Sequence, residues 1–124
     1  MIKVMWFLKR AEGMSLDEFR DWWLDHHAHD VARHQAPHLL RYVVNVRSDD
    51  SGLGGKATDE FDWDGVAEHW FSDEAAYNAV YHGGPSPTRG DTLAHTSRFA
   101  RFVVAEHDFS PGDPCGEAPS VRLP

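Results

Sequence analysis

Residues 2–29 read IKVMWFLKRAEGMSLDEFRDWWLDHHAH, and this one stretch holds a strand, a turn and the start of a helix. Ile2 to Leu8 is a short apolar run bounded by Lys9, Arg10 and the Glu12-Gly13 break, the pattern of a strand covered on both faces. Ser15 is followed three residues later by Glu18, the spacing of a capping box, in which hydroxyl and carboxylate each satisfy an otherwise orphaned backbone N–H. Leu16, Phe19, Trp22 and Trp23 then recur at helical intervals. A helix is expected from Ser15 to about His26–His29, with a looser stretch through Arg33–Pro37.

Working outward, residues 39–47 are rich in β-branched side chains and read as a second strand. Residues 48–64 carry Gly52, Gly54, Gly55 and several aspartates, the composition of a long loop. Val66–Phe71 reads as a third strand and Asp73–Val80 as a helix capped by Ser72 or Asp73. A break at Gly83-Gly84-Pro85 precedes a last strand around Arg98–Glu106. The order is βαβ twice over. Two such halves interlock as an α+β ferredoxin-like βαββαβ domain, a four-stranded antiparallel sheet with two helices on one face. The other sheet face still carries large apolar residues, and pairing it with a second copy would hide them from water. The expectation is a homodimer, a dimeric α/β barrel, formed by residues 1–107. Residues 108–124, with four prolines, two glycines and Cys115, form a tail.

Composition narrows the function. The chain of 124 residues suits one domain, and aromatics at 12% suffice for a packed core. A formal net charge of -8 with no basic stripe argues against a nucleic-acid partner. No apolar run approaches the length of a membrane span and the start is too short for a signal segment, so a soluble cytoplasmic protein is expected. The single cysteine excludes an intrachain disulfide and a thiolate metal cluster.

The densest chemical signal is Asp25-His26-His27-Ala28-His29-Asp30. Histidine titrates near neutral pH, and a neighbouring carboxylate can orient the ring and raise its pKa. On an ideal helical wheel His26 falls inside the stripe of Phe19 and Trp23, and His27 lies at its margin. At least one of the pair should face inward. His69 is the second signal, because strand alternation places it with Ala67 and Phe71 on one face, where an ionisable group needs a partner. Tyr42 or a backbone carbonyl could supply that partner. The plain alternatives are a solvated helix end for His26 and His27, and surface positions for His29, His34 and His38. Trp6, Trp22, Trp23 and Trp70 are first of all core, and some can also wall a pocket. A His-rich tract can bind metal, but this one lacks the spaced His-Glu-His pattern and a cysteine to close a site, so no metal and no cofactor are expected.

Met14-Ser15-Leu16-x-x-Phe19-x-x-Trp22-Trp23-x-x-x-His27 and Asp64-Gly65-Val66-Ala67-Glu68-x-Trp70-Phe71, with the opening Met1-Ile2-Lys3, resemble the EthD family of the dimeric α/β-barrel superfamily. The resemblance covers about residues 1–107. Trp22 stands where the family usually has tyrosine, and His29 and Asp30 stand where Pro and Leu are common. Members include a protein named for ether degradation, fungal polyketide dehydratases and cyclases, and methylmuconolactone isomerases. The resemblance to the last group implies a catalytic histidine at His26, and it sets His69 where those enzymes carry an active-site cysteine. A thiol-dependent step could not then survive, whereas proton transfer could.

Two readings follow. In the first, His26, His27 and His69 perform acid–base catalysis for a cofactor-independent lyase, isomerase or cyclase, with Tyr42, Trp6, Trp23 and Phe71 binding a small lactone, aromatic or polyketide-like substrate. In the second, the same pocket belongs to a non-catalytic binding or accessory protein, since fold alone never fixes a reaction.

Overall fold

The computed structural model describes residues 1–48 and 61–111. Its elements are β1 (Ile2–Arg10), α1 (Leu16–Trp22), a π-helical turn (Trp23–His27), α2 (Ala28–Gln35), β2 (Leu39–Val46), β3 (Gly65–Phe71), α3 (Glu74–Tyr81), α4 (Arg89–His95) and β4 (Thr96–Val104). The four strands form one antiparallel sheet in the order β2-β3-β1-β4, which is the ferredoxin-like arrangement. Residues 49–60 of the expected loop and most of the tail, Cys115 included, lie outside the described residues.

Local chemistry sets the helix starts. The Ser15 hydroxyl accepts from the Glu18 N–H at 3.0 Å while the Glu18 carboxylate accepts from the Ser15 N–H at 3.1 Å, so the capping box closes as the sequence predicts. At α3 the Asp73 carboxylate accepts from the Ala76 N–H at 2.8 Å, which makes Asp73 rather than Ser72 the cap.

Two expectations are corrected. The first helix does not end near His29 but runs on through the π turn to Gln35, because His29–Gln35 keeps helical hydrogen bonding with Val31 as its buried anchor. A short helix, α4, also precedes the last strand, which therefore begins at Thr96. Its seven residues bury no apolar side chain, so it leaves no hydrophobic periodicity to detect.

The core lies between the sheet and the first helix, where Leu8 and Ala67 meet Phe19, Trp22 and Trp23. Gly65 marks the tightest approach: a Cβ there would stand 2.4 Å from the Trp23 ring and 2.7 Å from the Asn45 carbonyl oxygen. Asp64 beside it is fully buried and holds the Arg10 backbone N–H and guanidinium, each at 2.9 Å, with Arg47 and Lys9 near by. This carboxylate ties the end of β1 to the entry of β3 and keeps the site-bearing strands in register.

The opposite sheet face is partly covered by its own side chains. Trp70 is buried under Lys3 and Arg41 and donates to Glu106, which pairs with Lys3. Phe7 stacks on Phe102, and Phe102 and Phe61 remain about half exposed. Among the described residues no helix is long and apolar enough to cross a membrane.

Candidate active site

A cavity of about 460 Å³ opens between the sheet and the helices. Its helical wall is the row Trp23, His27, Val31 and Gln35, spaced four residues apart. That row exists because of the π turn. The Ala28 N–H bonds to the Trp23 carbonyl five residues back, and the extra residue rotates every later side chain by about 100° relative to an ideal helix. His27 thereby takes the inward place that the wheel assigns to His26, and His26 is exposed and off the cavity wall. The expectation that His26 lies in the apolar stripe is corrected by this change of phase. His29, His34 and His38 are exposed as expected.

The sheet contributes Trp6 and Leu8 from β1, Tyr42 from β2, and Ala67 and His69 from β3, all facing the helices by strand alternation. Phe71 shares that face but is off the cavity wall. Tyr77 and Tyr81 of α3 pack edge-on against its fully buried ring, so a contact with substrate is not available to it.

His27 is held on all sides. Its Nδ1 lies 2.8 Å from Asp91 Oδ2, its ring stacks on Trp22 at 4.6 Å, and its Nε2 is 3.3 Å from the Thr92 hydroxyl. Because the carboxylate can only accept, Nδ1 carries the hydrogen and the lone pair sits on Nε2, beside the Thr92 hydroxyl, which also lines the cavity. Burial lowers the His27 pKa, and the Asp91 carboxylate opposes that shift without cancelling it. Asp91 is the hub of the arrangement. It also accepts from the Trp22 indole at 3.0 Å, and His95, likewise stacked on Trp22, lies 3.1 Å away. Burial pushes its carboxyl upward, but the hydrogen bonds from Trp22 and His27 outweigh that and keep it ionised.

His69 is buried more deeply and is partnered by Gln35, not by a backbone carbonyl. Its Nδ1 is 2.9 Å from Gln35 Oε1, an acceptor, so here too Nδ1 donates and Nε2 keeps the lone pair. Tyr42 packs against the ring at 4.6 Å. Burial first, then the nearby His27, brings the His69 pKa down to about 3, so it is neutral at physiological pH. Burial pushes the Tyr42 and Tyr81 phenols up to about 12, so both stay protonated and can donate. Tyr81 accepts from the Trp6 indole at 3.1 Å, leaving its own proton for the cavity. The site combines two neutral imidazole acceptors with phenolic donors between aromatic walls. Among the described residues no group of three or more His, Cys, Asp or Glu side chains is arranged to hold a metal ion.

A family model described as the EthD domain matches residues 11–82. The chain belongs to the EthD family. The matched span carries His27, Tyr42 and His69 but stops short of Asp91 and Thr92, so the EthD match and the carboxylate partner come from different parts of the chain. None of the curated proteins matches the sequence. Solved structures are similar in fold. A DABB-family protein with a ferredoxin-like fold from Mesorhizobium loti is 14% identical, with a TM-score of 0.55 over 86% of this chain and 97% of that one. The Arabidopsis thaliana protein At3g17210 is 12% identical, with a TM-score of 0.58 over 90% of this chain and all of that one. SnoaB, a cofactor-independent oxygenase from Streptomyces nogalater, is 16% identical, with a TM-score of 0.52 over 89% and 95%. At such identities the likeness is one of fold.

Sequence reasoning missed Asp91 and Thr92 because α4 was not foreseen. The trace that could have exposed them is Asp91 four residues before His95, a helical spacing between a carboxylate and an imidazole.

The two lowered histidines fix the sign of an acid effect. An unfolded histidine takes up a proton near pH 6.5, whereas folded His69 does so only near 3, so the unfolded state binds more protons between those values and stability falls on acidification. Denaturant titrations should show about 2 kcal/mol lost from this one side chain between pH 7 and pH 5. His69→Gln should remove that component, and an unchanged pH slope in the variant would contradict the buried neutral ring.

Proposed function

We propose that this EthD-family protein is a cofactor-independent acid–base enzyme, a lyase, isomerase or cyclase acting on a small lactone, aromatic or polyketide-like compound. The supporting observation is the Asp91–His27 pair, with Nδ1 fixed at 2.8 Å, the lone pair left on Nε2, and His27 and Thr92 both lining a cavity of about 460 Å³. A cavity of that size suits a small molecule. The carboxylate holds the ring in one tautomer and stabilises the imidazolium that forms when Nε2 takes a proton from carbon next to a carbonyl.

The phenols complete the chemistry. Tyr42 and Tyr81 are protonated donors able to hydrogen-bond the oxygen that gains charge as the enolate forms. The His27 imidazolium returns the proton, neutral His69 offers a hydrogen-bond acceptor to the substrate, and Trp6 and Trp23 wall its apolar part. The enzyme reading is preferred to a binding-only role because a ligand-binding wall does not call for a carboxylate fixing the tautomer of one imidazole.

Hydrogen–deuterium exchange followed by NMR tests this even while the product is unidentified. Incubated in D₂O with a panel of small lactones and aromatic β-dicarbonyl compounds, the protein should label at least one carbon acid. His27→Gln should slow the labelling about 10²- to 10⁴-fold and Asp91→Asn should slow it markedly, while His26→Gln leaves it unchanged. Labelling that survives His27→Gln would overturn the assignment. We further propose the homodimer through the outer sheet face, supported by half-exposed Phe61 and Phe102 beside Phe7. Light scattering should give twice the chain mass, falling to one after Phe102→Lys; a monomeric native chain would refute it.

A further inference from the structure

The chain is acidic, with 20 Asp and Glu side chains against 12 Lys and Arg, yet the cavity wall carries no carboxylate and two guanidinium groups, Arg89 and Arg101. Most other described cations are already neutralised. Lys3 pairs with Glu68 and Glu106, and Lys9, Arg10 and Arg47 gather on Asp62 and Asp64. Arg20, Arg33 and Arg98 also have aspartate partners. Among the described residues three arginines make no ion pair: Arg41, spread over Trp70 on the far sheet face, and the two on the cavity.

These two arrive from different elements, Arg89 at the start of α4 and Arg101 on β4. Both are exposed, so they stand at the cavity rim rather than in its depth. Arg101 lies 4.6 Å over the Tyr81 ring and 5.6 Å from the Trp6 ring. Cation–π attraction to the two rings holds the guanidinium near them, and among the described residues no carboxylate occupies its N–H groups, which can grip a planar anion in bidentate fashion.

We infer that the cavity takes a small carboxylate, its anionic end held by Arg101 with Arg89 beside it and its apolar body reaching inward toward Trp23, His27 and His69. This rests on the proposed reading of the cavity as a substrate site, and it narrows the substrate class to carboxylic acids. It also orients the ligand, because a carboxylate fixed at the rim leaves the far end of the molecule against the Nε2 atoms of the two histidines.

Calorimetric titration of the full chain with matched pairs tests it: 1-naphthylacetate against 1-naphthylacetamide, and phenylacetate against phenylacetamide. The acids should bind about tenfold or more tightly than the amides at low salt, the scale of one charge-assisted contact. Arg101→Gln should remove most of that preference while leaving amide affinity unchanged, Arg101→Lys should restore part of it, and added salt should erode it. Equal binding of acid and amide, no binding of either acid at millimolar concentration, or an undiminished preference in an Arg89→Gln, Arg101→Gln double variant would overturn the inference. Acid preference without any exchange chemistry would leave this inference standing and remove the enzyme reading. Exchange chemistry without acid preference would do the reverse.

Discussion

The hydrogen bond from the Ala28 N–H to the Trp23 carbonyl, one residue longer than an α-helical bond, sets the phase of the helix that walls the cavity. Before it, Phe19, Trp22 and Trp23 face the sheet as core. After it, His27, Val31 and Gln35 do, and two of those three are polar groups that act at the cavity. Without the added residue the inward position would fall to His26, Asp91 would lose the Nδ1 it fixes, and Gln35 would turn away from His69. A regular α-helix is the lower-energy local structure for such a sequence. The stacking of His27 and His95 on Trp22, and the three side chains that converge on Asp91, supply the tertiary contacts that hold the wider turn.

The two histidines solve one electrostatic problem in different ways. Each would be costly as a cation in this apolar setting, and each is kept neutral by burial. His27 has an ionised carboxylate against Nδ1, so the protonated form it would take during proton transfer has a counter-charge already in place. His69 has only a neutral amide, so it resists protonation and serves as an acceptor. The two imidazoles on one wall therefore differ in role: His27 can take and return a proton, and His69 stays a neutral hydrogen-bond acceptor.

Much of this was legible in the residues. The capping box at Ser15, the alternation of β3 and the β-branched run of β2 announce their elements, and the repeated βαβ order announces the sheet. Of the site residues named from sequence, His27, His69, Tyr42, Trp6 and Trp23 meet on one cavity, whereas His26 and Phe71 do not. The failures have physical causes. Helical periodicity assumes one pitch, and a π turn breaks that assumption at the His-rich segment. Alternation tells which face Phe71 occupies but not that Tyr77 and Tyr81 cover it. Asp91 sits 64 residues from His27 in a helix too short and too polar to leave a pattern, so its role depends on a long-range contact that no local reading contains.

The most direct measurement is ¹⁵N NMR of the imidazole rings in labelled protein, with assignment by His27→Gln and Asp91→Asn. His27 should show a neutral ring carrying its hydrogen on Nδ1 and titrating below the ordinary histidine value, and Asp91→Asn should lower its pKa further by removing the counter-charge. A His27 ring that is protonated on Nε2, or that titrates like a solvent-exposed histidine with no response to Asp91→Asn, would contradict the account.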